Sequence, residues 1–232
     1  GIGIDCLQGG PGEDTLDGGP GEDWFVESAR SVATGWLQLS DGQLSDLGSP
    51  AEVDSLRGIE RAALRGTSGD NVLDASRFSG PVWLSGSDGD DTLIGGADAD
   101  YLDAGRGNDG LSGLGGDDTL LGRDGNDRLD GGAGDDGLSG LGGHDTLIGD
   151  AGSDTLLGGI GNDSLVPGAG SDTALGEAGD DTIASSDATA DLVTGAGNGN
   201  DVSAGDTLDI DPDLDTVDDA FNCFPVWAEA LP

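Results

Sequence analysis

From Gly86 to Ala184 the chain divides without a gap into eleven nonapeptides. A repeat this short dictates the architecture before any single residue is interpreted. GSDGDDTLI (86–94), GLGGDDTLL (113–121), GRDGNDRLD (122–130), GLGGHDTLI (140–148) and GGIGNDSLV (158–166) show the rule. Position six is Asp in all eleven units. Position four is Gly in ten, with Asp98 the exception, and position eight is Leu or Ile in ten, with Ala174 the exception. The same register holds in GGPGEDTLD (9–17) and GGPGEDWFV (18–26), while residues 1–8 read as a unit lacking its first position. GTSGDNVLD (66–74) and residues 77–85 are weaker members, the latter with Val82 where Asp is expected.

One unit explains itself physically. Its first six positions are rich in Gly, Asp, Asn and Ser, which tolerate tight turns and left-handed backbone. Its last three carry one apolar residue between two outward ones, a minimal strand of period two. Two units then make a coil of 18 residues with strands on opposite sides and leucines meeting between them, and coils stack by parallel pairing at about 4.8 Å. The expected fold class is all-β, a parallel solenoid.

Four segments follow: N-terminal repeats over 1–26, an insertion over 27–85, the eleven-unit array over 86–184, and an acidic C-terminal cap or tail over 185–232. In the insertion, Trp36–Leu39, Ser40-Asp41-Gly42 and Gln43-Leu44 predict a short hairpin. Val53, Leu56, Ile59 and Ala63 have helical spacing, but the array resumes at once, so extended structure is expected there.

Charge supplies the chemistry. The chain has 47 acidic and 8 basic residues, a formal charge of -39, and no lysine. Nucleic acid is excluded as a partner, because phosphate binding needs a basic face; anionic membrane surfaces are disfavoured for the same reason. No apolar run approaches the roughly 18 residues of a membrane span. Gly contributes 47 residues, and Leu, Ile, Val and Phe together make up only about a fifth of the chain, close to the composition of disordered sequences. Something must neutralise this charge for the chain to fold. In the stacked coil, position-six carboxylates of units two apart lie about one strand spacing from each other and repel. A hard divalent cation between them, completed by turn carbonyls, removes the repulsion. An all-oxygen set suits calcium, whereas zinc favours His or Cys and magnesium a tighter, wetter octahedron. The candidate ligands are Asp14, Asp23, Asp91, Asp100, Asp109, Asp118, Asp127, Asp136, Asp145, Asp154, Asp163, Asp172 and Asp181. If units i and i+2 share an ion, residues 86–184 hold up to about nine Ca2+.

The pattern G-G-x-G-x-D-x-U-x, in which U is a large apolar residue, resembles that of the RTX (repeats-in-toxin) hemolysin-type calcium-binding proteins of bacteria. It covers 1–26 and 86–184 well. Ser55-Leu56-Arg57-Gly58-Ile59-Glu60 through Asn71-Val72-Leu73-Asp74-Ala75-Ser76 is similar to segments found between arrays in large members. The resemblance implies a right-handed parallel β-roll, calcium in the turns, and a secreted or surface location, in many members through a type I secretion apparatus that reads a C-terminal signal. Residues 185–232 are the only candidate for that signal. Extracellular calcium modules bind at about 10⁻⁴–10⁻³ M, so the chain is expected to stay unfolded in the cytosol and fold after export.

Other readings are weaker. Asp209, Asp211, Asp213 and Asp215 open like an EF-hand, but Leu214 and Ala220 stand where Gly and Glu are needed. His144, the single histidine, is expected at a turn surface. There is no H-E-x-x-H or G-x-S-x-G, and a carboxylate every nine residues makes a ligand ladder, not a tuned acid–base pair; the chain is expected not to be an enzyme. Threonines at position seven are too interrupted for an ice-binding face. Trp24, Phe25, Trp36 and Trp83 are expected to pack as a cap over the coil, with a glycan- or partner-binding stalk as the alternative. With no Met, the chain is expected to be a piece of a longer one, and a third reading is an accessory module of an exoenzyme. Cys6 and Cys223, at opposite ends, could form a bridge outside the cell.

Overall fold

The computed structural model describes residues 3–9, 13–28, 35–46 and 52–184, and the backbone of three short strands, Leu192–Thr194, Thr207–Asp209 and Thr216–Val217. The strands form two parallel-stacked sheets, one of 11 strands and one of 12, and in the array successive strands alternate between them. The register advances by one coil of 18 residues: Leu120↔Leu138↔Leu156 run up one sheet and Leu111↔Leu129↔Leu147↔Leu165 up the other. The fold is a parallel β-roll, as the period predicts. Among the described residues no helix is long and apolar enough to cross a membrane.

The strands are longer than the minimal three-residue element expected. Most in the array have six residues, as in Arg128–Ala133, which takes positions seven to nine of one unit and one to three of the next. Only positions four to six remain for the turn. The reason lies in the inward side of the strand. Leu129 and Gly131 both face in, so the core alternates a leucine with a glycine that has no side chain to bury. Position four is glycine, in every array unit but that of Asp98, for a different reason. At Gly125 and Gly143, with φ of 140° and 143°, an added Cβ would overlap the backbone carbonyl of the turn one coil below. Position two tolerates side chains only under strain: Leu114, Arg123, Leu141, Asp150 and Glu177 sit at φ between 69° and 82°. Left-handed backbone costs a non-glycine residue about 1–2 kcal/mol.

The interruption stays within the two sheets. Strands β1 (Cys6–Leu7), β2 (Thr15–Asp17) and β3 (Trp24–Ser28) precede it. There follow β4 (Gly35–Ser40), β5 (Gln43–Asp46), β6 (Glu52–Arg57), β7 (Arg61–Arg65), β8 (Asn71–Arg77) and β9 (Val82–Asp88). One sheet runs β1-β3-β7-β9, and the other β2-β6-β5-β4-β8. The hairpin is present as β4–β5, and β6 pairs antiparallel with β5 before rejoining β2 in parallel. The helical alternative over 52–64 is not formed, since β6 and β7 occupy it. Here the core is bulkier, with Phe25, Leu37, Leu39, Leu44, Leu56, Leu64 and Phe78 in place of single leucines.

Among the described side chains, Trp24, Phe25 and Trp83 do not gather in one cluster. Phe25 is a fully buried core residue, because it stands at inward position eight. Trp24 faces outward with Arg61 over its ring at 5.7 Å. Trp83, 52% exposed, lies 4.8 Å from Tyr101. In the tail Leu192–Thr194, Thr207–Asp209 and Thr216–Val217 continue the two sheets in parallel. The rest of 185–232, with Cys223 and the side chains of the EF-hand-like Asp209–Asp215, lies outside the described residues, as does the side chain of Trp36, whereas Cys6 is exposed. Position seven on one sheet reads Thr92, Gly110, Arg128, Thr146, Ser164, Thr182 along the register, the interrupted file expected.

Candidate metal centre

The turns place the position-six aspartates in two files, one along each edge of the roll. On one edge the amide of Asp91 donates to Oδ1 of Asp109 at 2.6 Å, Asp109 to Asp127 at 2.8 Å, Asp127 to Asp145 at 2.7 Å, Asp145 to Asp163 at 2.8 Å and Asp163 to Asp181 at 2.9 Å. On the other, Asp100 donates to Asp118 at 2.7 Å, Asp118 to Asp136 at 2.7 Å, Asp136 to Asp154 at 2.8 Å and Asp154 to Asp172 at 2.8 Å. Stacked carboxylates are thus linked through an amide and do not meet oxygen to oxygen. All eleven array aspartates are at most 4% exposed.

The second oxygen is the unusual one. Oδ2 of Asp91, Asp109, Asp118, Asp127, Asp136, Asp145, Asp154 and Asp163 is buried without a hydrogen-bond partner, as are those of Asp14 and Asp23. An unsatisfied buried polar atom is costly, and an ionised one more so. At Asp91, Asp118, Asp145, Asp154 and Asp163 this oxygen converges with a backbone carbonyl. A Cβ added to Gly113 would overlap Oδ2 of Asp118 and lie 2.6 Å from the carbonyl oxygen of Gly131, at position one of the unit a full coil on. Gly140 repeats this with Asp145 and, at 2.6 Å, Gly158 O; Gly158 does so with Asp163 at 2.6 Å and Gly176 O at 2.7 Å. The missing side chain at position one leaves a cradle lined by oxygen from two stacked units.

Burial raises the carboxyls. Desolvation pushes Asp91, Asp118 and Asp127 up to about 7, with like charges on neighbouring aspartates adding to it. Asp100, Asp109, Asp136, Asp145 and Asp154 are raised by burial to about 6, and Asp163 in the same direction. A cation in the cradle reverses this and holds them ionised. Among the described residues no group of three or more His, Cys, Asp or Glu side chains is placed to hold an ion alone. The donor set is one buried carboxylate oxygen plus carbonyls from stacked turns. That all-oxygen chemistry fits calcium.

Not every predicted ligand is equivalent. Oδ2 of Asp100 accepts the Gly96 amide at 2.5 Å, in the one unit whose fourth position is Asp98 in place of glycine. Asp172 and Asp181 are buried and accept from the coil below. At the N-terminus Asp14 donates to Asp54 at 2.9 Å, and Asp5 to Asp23 at 2.8 Å.

Sequence reasoning missed a second ladder. Position-five side chains accept from the amide one coil above: Asp90 from Asn108 at 2.8 Å, Asn108 from Asn126 at 3.0 Å, Asn126 from His144 at 2.8 Å and His144 Nδ1 from Asn162 at 2.7 Å. Asp117, Asp135 and Ser153 continue it on the other edge. His144 is exposed, as expected, but it is also a rung. The readable sign was that position five carries an acceptor side chain in every array unit except that of Ala99.

The family model for the RTX calcium-binding nonapeptide repeat (four copies), the hemolysin-type calcium-binding family, matches residues 1–26, 83–111, 111–138, 134–165 and 168–189, more than half of the chain. No curated protein matches it. The matched ranges overlap the repeats, the roll and the oxygen-lined cradles: the chain belongs to the RTX calcium-binding repeat family, and calcium is its ion.

Proposed function

We propose that the chain is a non-catalytic calcium-responsive module of a secreted or surface-displayed bacterial protein, unfolded where calcium is scarce and folded where it is millimolar. The observation that carries this is the row of buried Oδ2 atoms without partners in a coil that buries little more than two leucines per turn. Without an ion each ionised carboxylate opposes folding, and with one it joins two stacked turns, so binding energy becomes folding energy. Asp91, Asp109, Asp118, Asp127, Asp136, Asp145, Asp154 and Asp163 each supply a carboxylate, and at Asp91, Asp118, Asp145, Asp154 and Asp163 the position-one carbonyl of the unit one coil on is the partner. An unfolded chain at low calcium suits passage through a type I secretion apparatus, and folding outside keeps it there.

Limited proteolysis tests this. At micromolar calcium the array is expected to be digested, and at millimolar calcium 86–184 is expected to survive as a resistant fragment. Equal resistance at both concentrations would overturn the reading.

A second reading rests on Trp83, which stands half exposed beside Tyr101 on the outer face of the 11-stranded sheet. Exposed paired aromatics suit stacking on a sugar ring, so the roll would also be a stalk carrying a glycan site. Glycan binding that disappears in Trp83→Ala would favour it.

A further inference from the structure

The interruption breaks the nonapeptide register, yet it completes one of the cradles. Asp17 pairs with Arg57, and the Gly18 amide donates to Arg57 O at 3.0 Å, so Gly58 stacks on Gly18. A Cβ on Gly18 would overlap Gly58 O and lie 2.5 Å from Oδ2 of Asp23. This is the same pair of oxygens, carboxylate and stacked carbonyl, that lines the cradles of the array. Asp23 is fully buried, and its Oδ2 has no hydrogen-bond partner. One coil on, Arg61 pairs with Trp24, which puts Glu60 where the next position-six aspartate belongs. The Asp23 amide donates to Glu60 Oε2 at 2.8 Å. Gly58-Ile59-Glu60 therefore does in three residues what a repeat does in six. The extra methylene of glutamate offers the reach that the shortened turn lacks.

Beyond Glu60 the ladder stops. Val82 donates its amide to Asp100 Oδ1 at 2.7 Å as a position-six residue does, but it brings no carboxylate. Asp100 spends its Oδ2 on the Gly96 amide. On the opposite edge Asn71 fills the Gly66 cradle with an amide oxygen that already accepts the Thr67 amide at 2.5 Å. Among the described residues past the interruption, the first position-six carboxylates with an open Oδ2 are Asp91 on one edge and Asp118 on the other.

We propose that a further calcium site closes across the interruption, held by Asp23, Gly58 and Glu60, and that the ion-poor coils at Asn71, Val82 and Asp100 insulate it from the long ladder. The proposal rests on the calcium reading of the array. In a solenoid, coupling passes between nearest neighbours, so a stretch without shared ions separates two responses to calcium. The short site ties the N-terminal units to the interruption, and the long ladder folds the array.

The test uses the full chain with calcium, and with terbium as a luminescent stand-in excited through tryptophan, since Trp24 adjoins Asp23. Glu60→Gln keeps an acceptor for the Asp23 amide and removes only the charge. It is expected to lower the bound calcium count by one or to weaken that site roughly tenfold. Tryptophan-sensitised terbium emission should fall with it, while the midpoint of the array's circular dichroism transition stays put. Asp127→Asn is expected to do the reverse, raising that midpoint and sparing the terbium signal. An unchanged ion count and emission in Glu60→Gln, a shift of the array transition by Glu60→Gln, or a loss of terbium emission in Asp127→Asn would overturn the proposal. If Asp127→Asn left both the array transition and the ion count untouched, the failure would lie with the ladder and not with this site.

Discussion

With calcium removed at pH 7.5 the array is expected to lose its β-structure, and acidification to about pH 5 is expected to restore much of it without metal. The sign follows from the carboxyls. Burial raises Asp91, Asp118 and Asp127 to about 7, and Asp100, Asp109, Asp136, Asp145 and Asp154 to about 6, against about 3.9 in an unfolded chain. Between those limits the folded state binds more protons than the unfolded one. Stability of the metal-free roll therefore grows as pH falls from 7 towards 4 and levels off below, and it is lost as pH rises through 6 to 7. Calcium competes with those protons, so its midpoint should move to higher concentration at pH 5. Far-UV circular dichroism of dialysed, calcium-free protein at both pH values checks this. A metal-free chain that is coil at pH 5, or more ordered at pH 7.5, would contradict the role given to the buried carboxyls.

Gly140→Ala is expected to cost more than its size suggests. Its backbone is not left-handed, so alanine is conformationally acceptable there. The penalty comes from the cradle, because the new methyl would overlap Asp145 Oδ2 and stand 2.6 Å from Gly158 O. The carbonyl is fixed in a paired strand and the carboxylate is buried, so neither can yield cheaply. Overpacking of this kind costs about 1–3 kcal/mol, and the methyl also takes up room the ion needs. Bound calcium should fall by at least one, and the calcium midpoint should rise about tenfold or more. Gly137→Ala is the matched control, since its nearest neighbour would be Asp118 O at 3.8 Å, ordinary contact. That variant should stay within about 0.5 kcal/mol of the parent. Urea unfolding at saturating calcium separates the two; equal behaviour would mean the cradle is not the binding place.

The period alone made the roll legible, because residues nine apart with one inward leucine leave few ways to bury anything. It gave the 18-residue coil, the two edges and the aspartates on them. It did not give strand length. Nothing in a Gly-rich triplet such as Gly131-Gly132-Ala133 says strand until the stacked partner is present to pair with it. Nor did it show the left-handed residue at position two, where Leu114 and Leu141 hide a demand usually written as glycine. Asp54 and Glu60 escaped because pattern reading counts positions along the chain, whereas a shortened turn keeps the spatial register and discards the count. Position-five acceptors looked like turn composition, and only the stacked amides reveal them as rungs.

The measurement that bears most directly on the central claim is a calcium titration followed by far-UV circular dichroism, with magnesium as control, on the parent chain and on Asp127→Asn. Asparagine keeps the Oδ1 acceptor for the Asp109 amide and removes the charge at one cradle. The ladder predicts a cooperative gain of β-structure near millimolar calcium, none with magnesium, and a higher midpoint in the variant. Full β-structure in chelator at neutral pH, with parent and variant superimposed at every calcium concentration, would mean that leucine packing alone holds the roll and that the aspartates do not ligate.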